Sequence, residues 1–239
     1  MSVWQRILGP FKEFGVGWGA LYAADRVMRS LSPRLGLYVY EFVAQPVSSK
    51  RLLPASLSRN IQFDEIGRNH PDLVLMPARP EIKASRFEQG ATCLGVYRHG
   101  KLLGYVWFCF NAYHEDEVRC TYVLSDPTHS VFDFDLYVLP ESRMGLGFAA
   151  VWQAANEYLQ SRGVRHTFSR MTRFNLASRR SHARLGGSRV GSALFLQAWR
   201  AECMLATLPP YASLSWGTGH GPRLWLQANP SEQSDAGSS

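Results

Sequence analysis

Three groups of residues carry types and spacings that can do chemistry. The first is a pair of carboxylates, Asp133 and Asp135, in the alternating stretch 131–139. Along a strand, residues two apart share a face. Asp133, Asp135 and Tyr137 are therefore expected on one face, with Phe132, Phe134, Leu136 and Val138 on the other. Carboxylates that close raise one pKa, which suits a proton acceptor working near neutral pH. The alternative is that each pairs with an arginine and is structural. The second group is the loop Ser142-Arg143-Met144-Gly145-Leu146-Gly147, ahead of an apolar helical stripe that begins at Phe148. A helix start presents unpaired N–H groups and the positive end of the dipole, and glycines let a phosphate approach them. A tight connection that needs glycine for space reads the same way. The third group is Asn175 with His182. Seven residues advance a helix by about 700°, which leaves the two within roughly 20° of one face. Imidazole donates a hydrogen bond when neutral and a proton when charged. A plain helix cap at Asn175 and an exposed histidine are the structural alternatives.

These groups need elements to position them. Residues 92–97 and 102–110 read as a hairpin turning at His99-Gly100. Residues 118–124, 131–139 and 164–171 read as strands, and 145–162 as a helix stopped by Gly163. Asn175 starts a helix through Leu185, ended by Gly186-Gly187. Residues 190–208 fold as a hairpin about 198–200, and Pro209-Pro210 closes the folded body. Residues 1–60 read as a helical, aromatic-rich extension. Trp4, Ile7, Leu8 and Phe11, then Trp18, Leu21, Tyr22, Met28 and Leu31, fall at helical spacing. Residues 35–43 are an aromatic-rich apolar stretch. With Arg26, Arg29 and Arg34 at the rim, residues 1–45 suit a cover for the body or a peripheral membrane contact. The end of the tail 209–239 is Ser-rich and polar, the composition of a disordered segment.

The stretch holding Val138, Pro140, Arg143, Gly145 and Gly147 resembles the acyl-CoA-binding motif of the GNAT acetyltransferase superfamily, V-x-P-x-x-R-G-x-G-x-G. The loop departs by one residue, and with its glycines in register Ser142 takes the family's Arg/Gln position. A second stretch, with Asn175, Ser178, His182, Arg184 and Gly186, is similar to the family's N-x-x-A-x-x-L-Y-x-K-x-G. Here His182 replaces the frequent tyrosine. The resemblance covers about residues 61–208. It implies an α/β (α+β) fold with a mixed, mainly antiparallel central sheet flanked by helices, preceded here by the helical extension. It implies two strands that splay apart. An acyl-CoA then lies along Tyr137, Val138 and Leu139, with its pyrophosphate over Ser142, Arg143, Met144, Gly145, Leu146, Gly147 and Phe148. Asn175, Ser178 and Arg179 flank it, and Arg179, Arg180 and Arg184 surround the phosphates. The activity implied is direct transfer of an acyl group, acetyl first, to a primary amine. Asp135 or Asp133 takes the proton, and His182 stands in for the tyrosine acid. A non-catalytic acyl-CoA-binding or membrane-associated scaffold is the other expectation.

Composition limits the remaining classes. The chain has 239 residues and a net charge of +7, with 22 Arg and only 4 Lys. Arginine suits phosphate or carboxylate, so an anionic partner is expected, with codon bias as the alternative source of the enrichment. Nine arginines fall between Tyr158 and Ala201, where there is no Asp or Glu. No nucleic-acid motif is recognisable and aromatics do not interleave with this run, so nucleic acid is not expected. His114-Glu115-Asp116-Glu117 form an alternative acidic cluster to the aspartate pair, or a solvated loop. The four cysteines are far apart and form no ligand cluster, so no metal, no disulfide framework and a cytoplasmic setting are expected. No uncharged run is long enough to span a bilayer.

Overall fold

The computed structural model describes residues 14–143, 146–217, 219 and 221–228. Helix α1 (Val16–Leu31) leads into β1 (Leu35–Pro46), a one-turn helix α2 (Ala55–Ser58) and β2 (Ile61–Ile66). After a 3-10 turn (Pro71–Leu75) come α3 (Pro80–Glu88), β3 (Thr92–Arg98) and β4 (Lys101–Cys109). Then follow β5 (Ala112–His114), β6 (Thr121–Leu124), β7 (Ser130–Val138), α4 (Gly147–Gln160), β8 (His166–Thr172) and α5 (Leu176–Arg184). The chain finishes with β9 (Ser188–Ala198), β10 (Ala201–Ala206), β11 (Ala212–Trp216) and β12 (Arg223–Leu226). Nine strands form one sheet in the order β11-β10-β9-β1-β8-β7-β4-β3-β2, and β12-β6-β5 form a small second sheet. Every pair in the large sheet is antiparallel except β7 with β8.

Two cores hold the layers together. On one face α4 buries Val151, Trp152, Ala155 and Leu159 against Leu94, Val96, Val106, Phe108 and Val131 of the sheet. Gly104 sets how closely they meet. A Cβ there would stand 2.4 Å from the Tyr137 carbonyl oxygen and 2.9 Å from Val151 Cγ2. On the other face Phe42, Phe132, Phe168 and Phe195 pack under Tyr122, Leu224 and Leu226 of the small sheet. The β3–β4 turn is the expected one. His99 and Gly100 take φ of 51° and 73°, the left-handed pair that a two-residue hairpin favours.

Two expectations change. The segment before residue 60 supplies a central strand as well as a helix. β1 pairs with β8 from Tyr40↔Thr172 to Pro46↔His166 and with β9 from Leu35↔Ala198 to Ala44↔Ser188. An apolar stretch without alternation is what a strand covered on both faces requires. The folded body also continues past Pro209-Pro210. β11 extends the sheet, and Leu224 and Leu226 of β12 are fully buried.

Candidate active site

The parallel pair β7–β8 is joined only from Ser130↔His166 to Asp133↔Ser169. Beyond that rung β8 stays with β1 and β7 stays with β4. The strands part, and residues 134–138 keep a strand neighbour on the β4 side alone. A bulge falls at the same place. Asp135 takes φ of 48°, and the β4 register shifts between Tyr105 and Trp107. A non-glycine residue there stores roughly 1 kcal/mol and holds a local bend in the backbone.

The bulge rearranges the faces. Phe132 and Phe134 belong to the small-sheet side, and Val131 to the α4 side. Asp135 follows Phe134 onto the small-sheet side, where its carboxylate meets Arg86, whose guanidinium lies over the Trp107 and Phe134 rings. Leu136 and Val138 return to the α4 side, and Tyr137 stacks on Tyr105. Asp133 and Asp135 therefore lie on opposite faces, which corrects the same-face pair read from the alternation. One extra residue shifts a period of two by a whole face.

A cleft of about 580 Å³ opens on the Asp135 side, lined among others by Arg86, Tyr113, Asp116, Phe134, Asp135 and Arg170. Its floor is aromatic, with Tyr113 stacked on Phe134 at 4.2 Å and on Phe132 at 5.1 Å. Buried Arg86 of α3 bridges Asp135 and Asp116, the latter at 3.2 Å. Arg170 of β8 pairs with Glu115 and, at 3.0 Å, with Glu117, and sits over the Tyr40 ring. Of the acidic cluster only Glu115 is fully turned inward, its side chain 0% exposed, while His114 and Glu117 stay at the surface as a solvated loop would. Burial raises the Asp135 carboxyl above its ordinary value, and Arg86 pulls it part of the way back. Asp133 is enclosed on the other face, where both its oxygens accept from the Ser169 hydroxyl at 2.8 Å. Burial outweighs the Ser169 and Thr167 hydrogen bonds and pushes this carboxyl up to about 7. Desolvation is the cause, rather than a neighbouring acid.

The helix start lies at the end of β7. A Cβ on Gly147 would come 2.5 Å from the Ser142 carbonyl oxygen and 2.7 Å from Val138 Cγ1, so the connection needs glycine for space. The first described N–H of α4 to bond back is that of Ala150, to Leu146. The first turn has no acidic residue and no side-chain cap. A helix start with neither an acid nor a side-chain cap fits an anion. Met144 and Gly145 lie outside the described residues. Arg143 is drawn back along the strand end, donating to the Val138 carbonyl at 2.9 Å and lying over Tyr137.

On α5, Asn175 is a helix cap whose Oδ1 accepts the Ser178 N–H at 3.0 Å. Arg179 is committed to buried Glu41 at 2.7 Å, beside Arg173. Arg180 and Arg184 are exposed and have no ion pair among the described residues. His182 is buried, not exposed. Its Nδ1 is 2.9 Å from Gln45 Oε1, and its ring meets the Trp152 ring edge-on. Burial lowers its pKa to about 4, so the proton-donating imidazolium expected from the sequence is not populated near neutrality. Gln45 stands opposite Thr167, which pairs with Val131 on the closed side of the split. The residues missed from sequence are Arg86 and Glu41, while Asp116 and Arg170 stand in the acidic cluster and the basic run without their pairing being foreseen. No local signal marks them, because their partners are distant in the chain.

The class of fold is α+β, with a mainly antiparallel sheet split at one parallel pair. Residues 63–187, more than half of the chain, match the acetyltransferase (GNAT) family. The chain belongs to that family. No curated protein matches it. Among solved structures it is similar to a functionally unknown conserved protein from Staphylococcus epidermidis, at 14% identity and a TM-score of 0.49, over 73% of this chain and 66% of that one. It is similar to a tandem GNAT protein from the clavulanic acid biosynthesis pathway, at 17% identity and a TM-score of 0.44, over 68% and 53%. A third is an acetyltransferase of the GNAT family from Colwellia psychrerythraea, at 13% identity and a TM-score of 0.44, over 67% and 56%. The chain thus spans just under two thirds of the first of these and about half of the other two.

Proposed function

We propose that the protein transfers an acyl group from an acyl-CoA, acetyl-CoA in the simplest case, to a primary amine. The observation that carries this reading is the split of β7 from β8 beyond Asp133 and Ser169, with the Asp135 bulge at its start. Backbone freed on one edge of residues 134–138 is available to an extended thioester arm. An N–H there would stabilise the oxyanion formed when the amine attacks. The first-turn amides of α4, with Arg180 and Arg184, suit the donor's phosphates. The amine enters from the aromatic cleft. Asp135, held by Arg86, accepts its proton directly or through a water. The nitrogen bonds to the thioester carbon, the C–S bond breaks, and the thiolate leaves and takes up a proton. His182 braces α5 against Gln45 and α4, and Asp133 with Ser169 holds the last closed rung.

Two measurements on the full chain test the reading. Calorimetry with coenzyme A is expected to show binding, and thiol release from acetyl-CoA and longer acyl-CoAs is expected with at least one of a panel of amines. Binding without turnover for any donor would refute transfer. No binding would refute the donor site as well.

A further inference from the structure

Strands β9, β10 and β11 end the large sheet, and their register lines up one face. Leu194 stands beside Leu205 and Ala212 on one rung, and Leu196 beside Cys203 and Leu214 on the next. Trp216 follows on the third. Residues on a rung and at alternate positions share a face, so these side chains form a continuous apolar surface. The opposite face of the same strands, with Phe195 and Met204, is buried in the core under the small sheet. The apolar face runs on into β1, through Leu37 opposite Leu196 and Val39 opposite Leu194. There α1 reaches it, with Trp18 and Leu21 beside Val39 and Leu205. Beyond that border no described helix covers it. Leu214 and Trp216 are 76% and 74% exposed, and Leu205 is 53% exposed. Trp199 in the β9–β10 turn and Tyr211 beside β11 are similarly open.

We propose that this face rests on an anionic lipid surface. Its border is cationic. Exposed Arg34 accepts the Trp199 N–H through its carbonyl, exposed Arg200 does the same for Gly217 beside Trp216, and exposed Arg189 borders the α1 groove. None of the three has an ion pair among the described residues. Two acids border this face: Glu41 is buried and neutralised by Arg173 and Arg179, and Asp25, which accepts the Leu37 N–H at 2.9 Å, is paired with Arg29. Two copies pressed face to face would bring these arginines together, whereas lipid phosphates complement them. Trp199, Trp216 and Tyr211 pair an apolar body with a polar tip, the chemistry of the headgroup boundary. No described helix is long and apolar enough to cross a membrane, so the contact is made at the surface. It is carried by the sheet, with α1 and β1 contributing its border.

The test is co-sedimentation of the full chain with vesicles of phosphatidylcholine, with and without phosphatidylserine. Binding is expected to the phosphatidylserine vesicles. It should be lost in the double variant Leu214→Glu, Trp216→Glu and weakened about fivefold for each of Arg34→Gln and Arg200→Gln. The urea midpoint of each variant checks folding, and the arginine variants decide if the double variant does not fold. Absence of wild-type binding overturns the proposal, as does binding indifferent to the arginines and to the apolar pair. A stable dimer by light scattering, broken by Trp216→Glu and blind to vesicles, would assign the face to a second copy instead.

Discussion

Asp133→Asn should stabilise the protein above neutrality and do little in acid. The carboxyl is enclosed beside Ser169 and Thr167 of β8, and its pKa is raised from 3.8 to about 7 by burial. A group raised in the fold binds its proton more tightly there than in the unfolded chain. Its favourable contribution is complete below about pH 3.8 and is lost as pH rises to about 7. About three pH units at roughly 1.36 kcal/mol each put the full cost of ionising near 4 kcal/mol. Asparagine removes that charge and keeps one oxygen for the Ser169 hydroxyl. Less favourable hydrogen bonding returns about 1 kcal/mol of the gain. The variant's advantage over wild type should therefore grow by about 2–3 kcal/mol between about pH 5 and pH 8. With a urea slope of about 1–3 kcal/mol/M, the midpoints should separate by roughly 1–2 M over that range. A separation that stays constant with pH, or a variant less stable than wild type at the alkaline end, would show that Asp133 does not ionise in an enclosed site.

Three further outcomes follow from the same geometry. Asp135→Asn should lower kcat/KM by about 10²–10⁴ with coenzyme A affinity retained; a loss of less than about threefold in steady-state thiol release would remove Asp135 as the proton acceptor. Gly104→Val places carbon where the Tyr137 carbonyl and Val151 already stand, and should cost about 1–3 kcal/mol or more by urea unfolding. Wild-type stability in that variant would mean that α4 and β7 do not approach β4 as closely as described. The ring resonances of His182 should not titrate above about pH 5, because burial lowers its pKa to about 4; an NMR midpoint near the ordinary histidine value would contradict its enclosure beside Trp152.

Features encoded locally were legible in the chain. The His99-Gly100 turn and the Asn175 cap each depend on a few adjacent residues, and both stand where the pattern puts them. The strand over 131–139 was legible too, but its faces were not. Phe-Asp-Phe-Asp alternates without fault, and nothing in it announces that Asp135 will bulge. That bend answers to the β4 register, which is set from a different part of the chain. The place of β1 between β8 and β9 is equally non-local. Its trace was an apolar run without alternation, which asks for cover on both faces without naming the neighbours.

Charge was the least legible property, because composition counts residues and not partners. Glu115, Asp116 and Glu117 looked solvated, yet Arg86 and Arg170 reach them from 30 and 55 residues away. The acid-free run of nine arginines looked like one phosphate-binding cluster. Four of the nine, Arg162, Arg170, Arg173 and Arg179, are drawn to acids from β1, β2 and the 114–117 loop. Of the other five, Arg180 and Arg184 lie on α5, Arg189 and Arg200 lie at the border of the bare sheet face, and Arg165 lies beside Asp126 and His129. An unpaired arginine is informative only once the paired ones have been subtracted. Two of the places that remain carry the two proposals: Arg180 and Arg184 for the phosphates of a donor, and Arg189 and Arg200 for lipid headgroups.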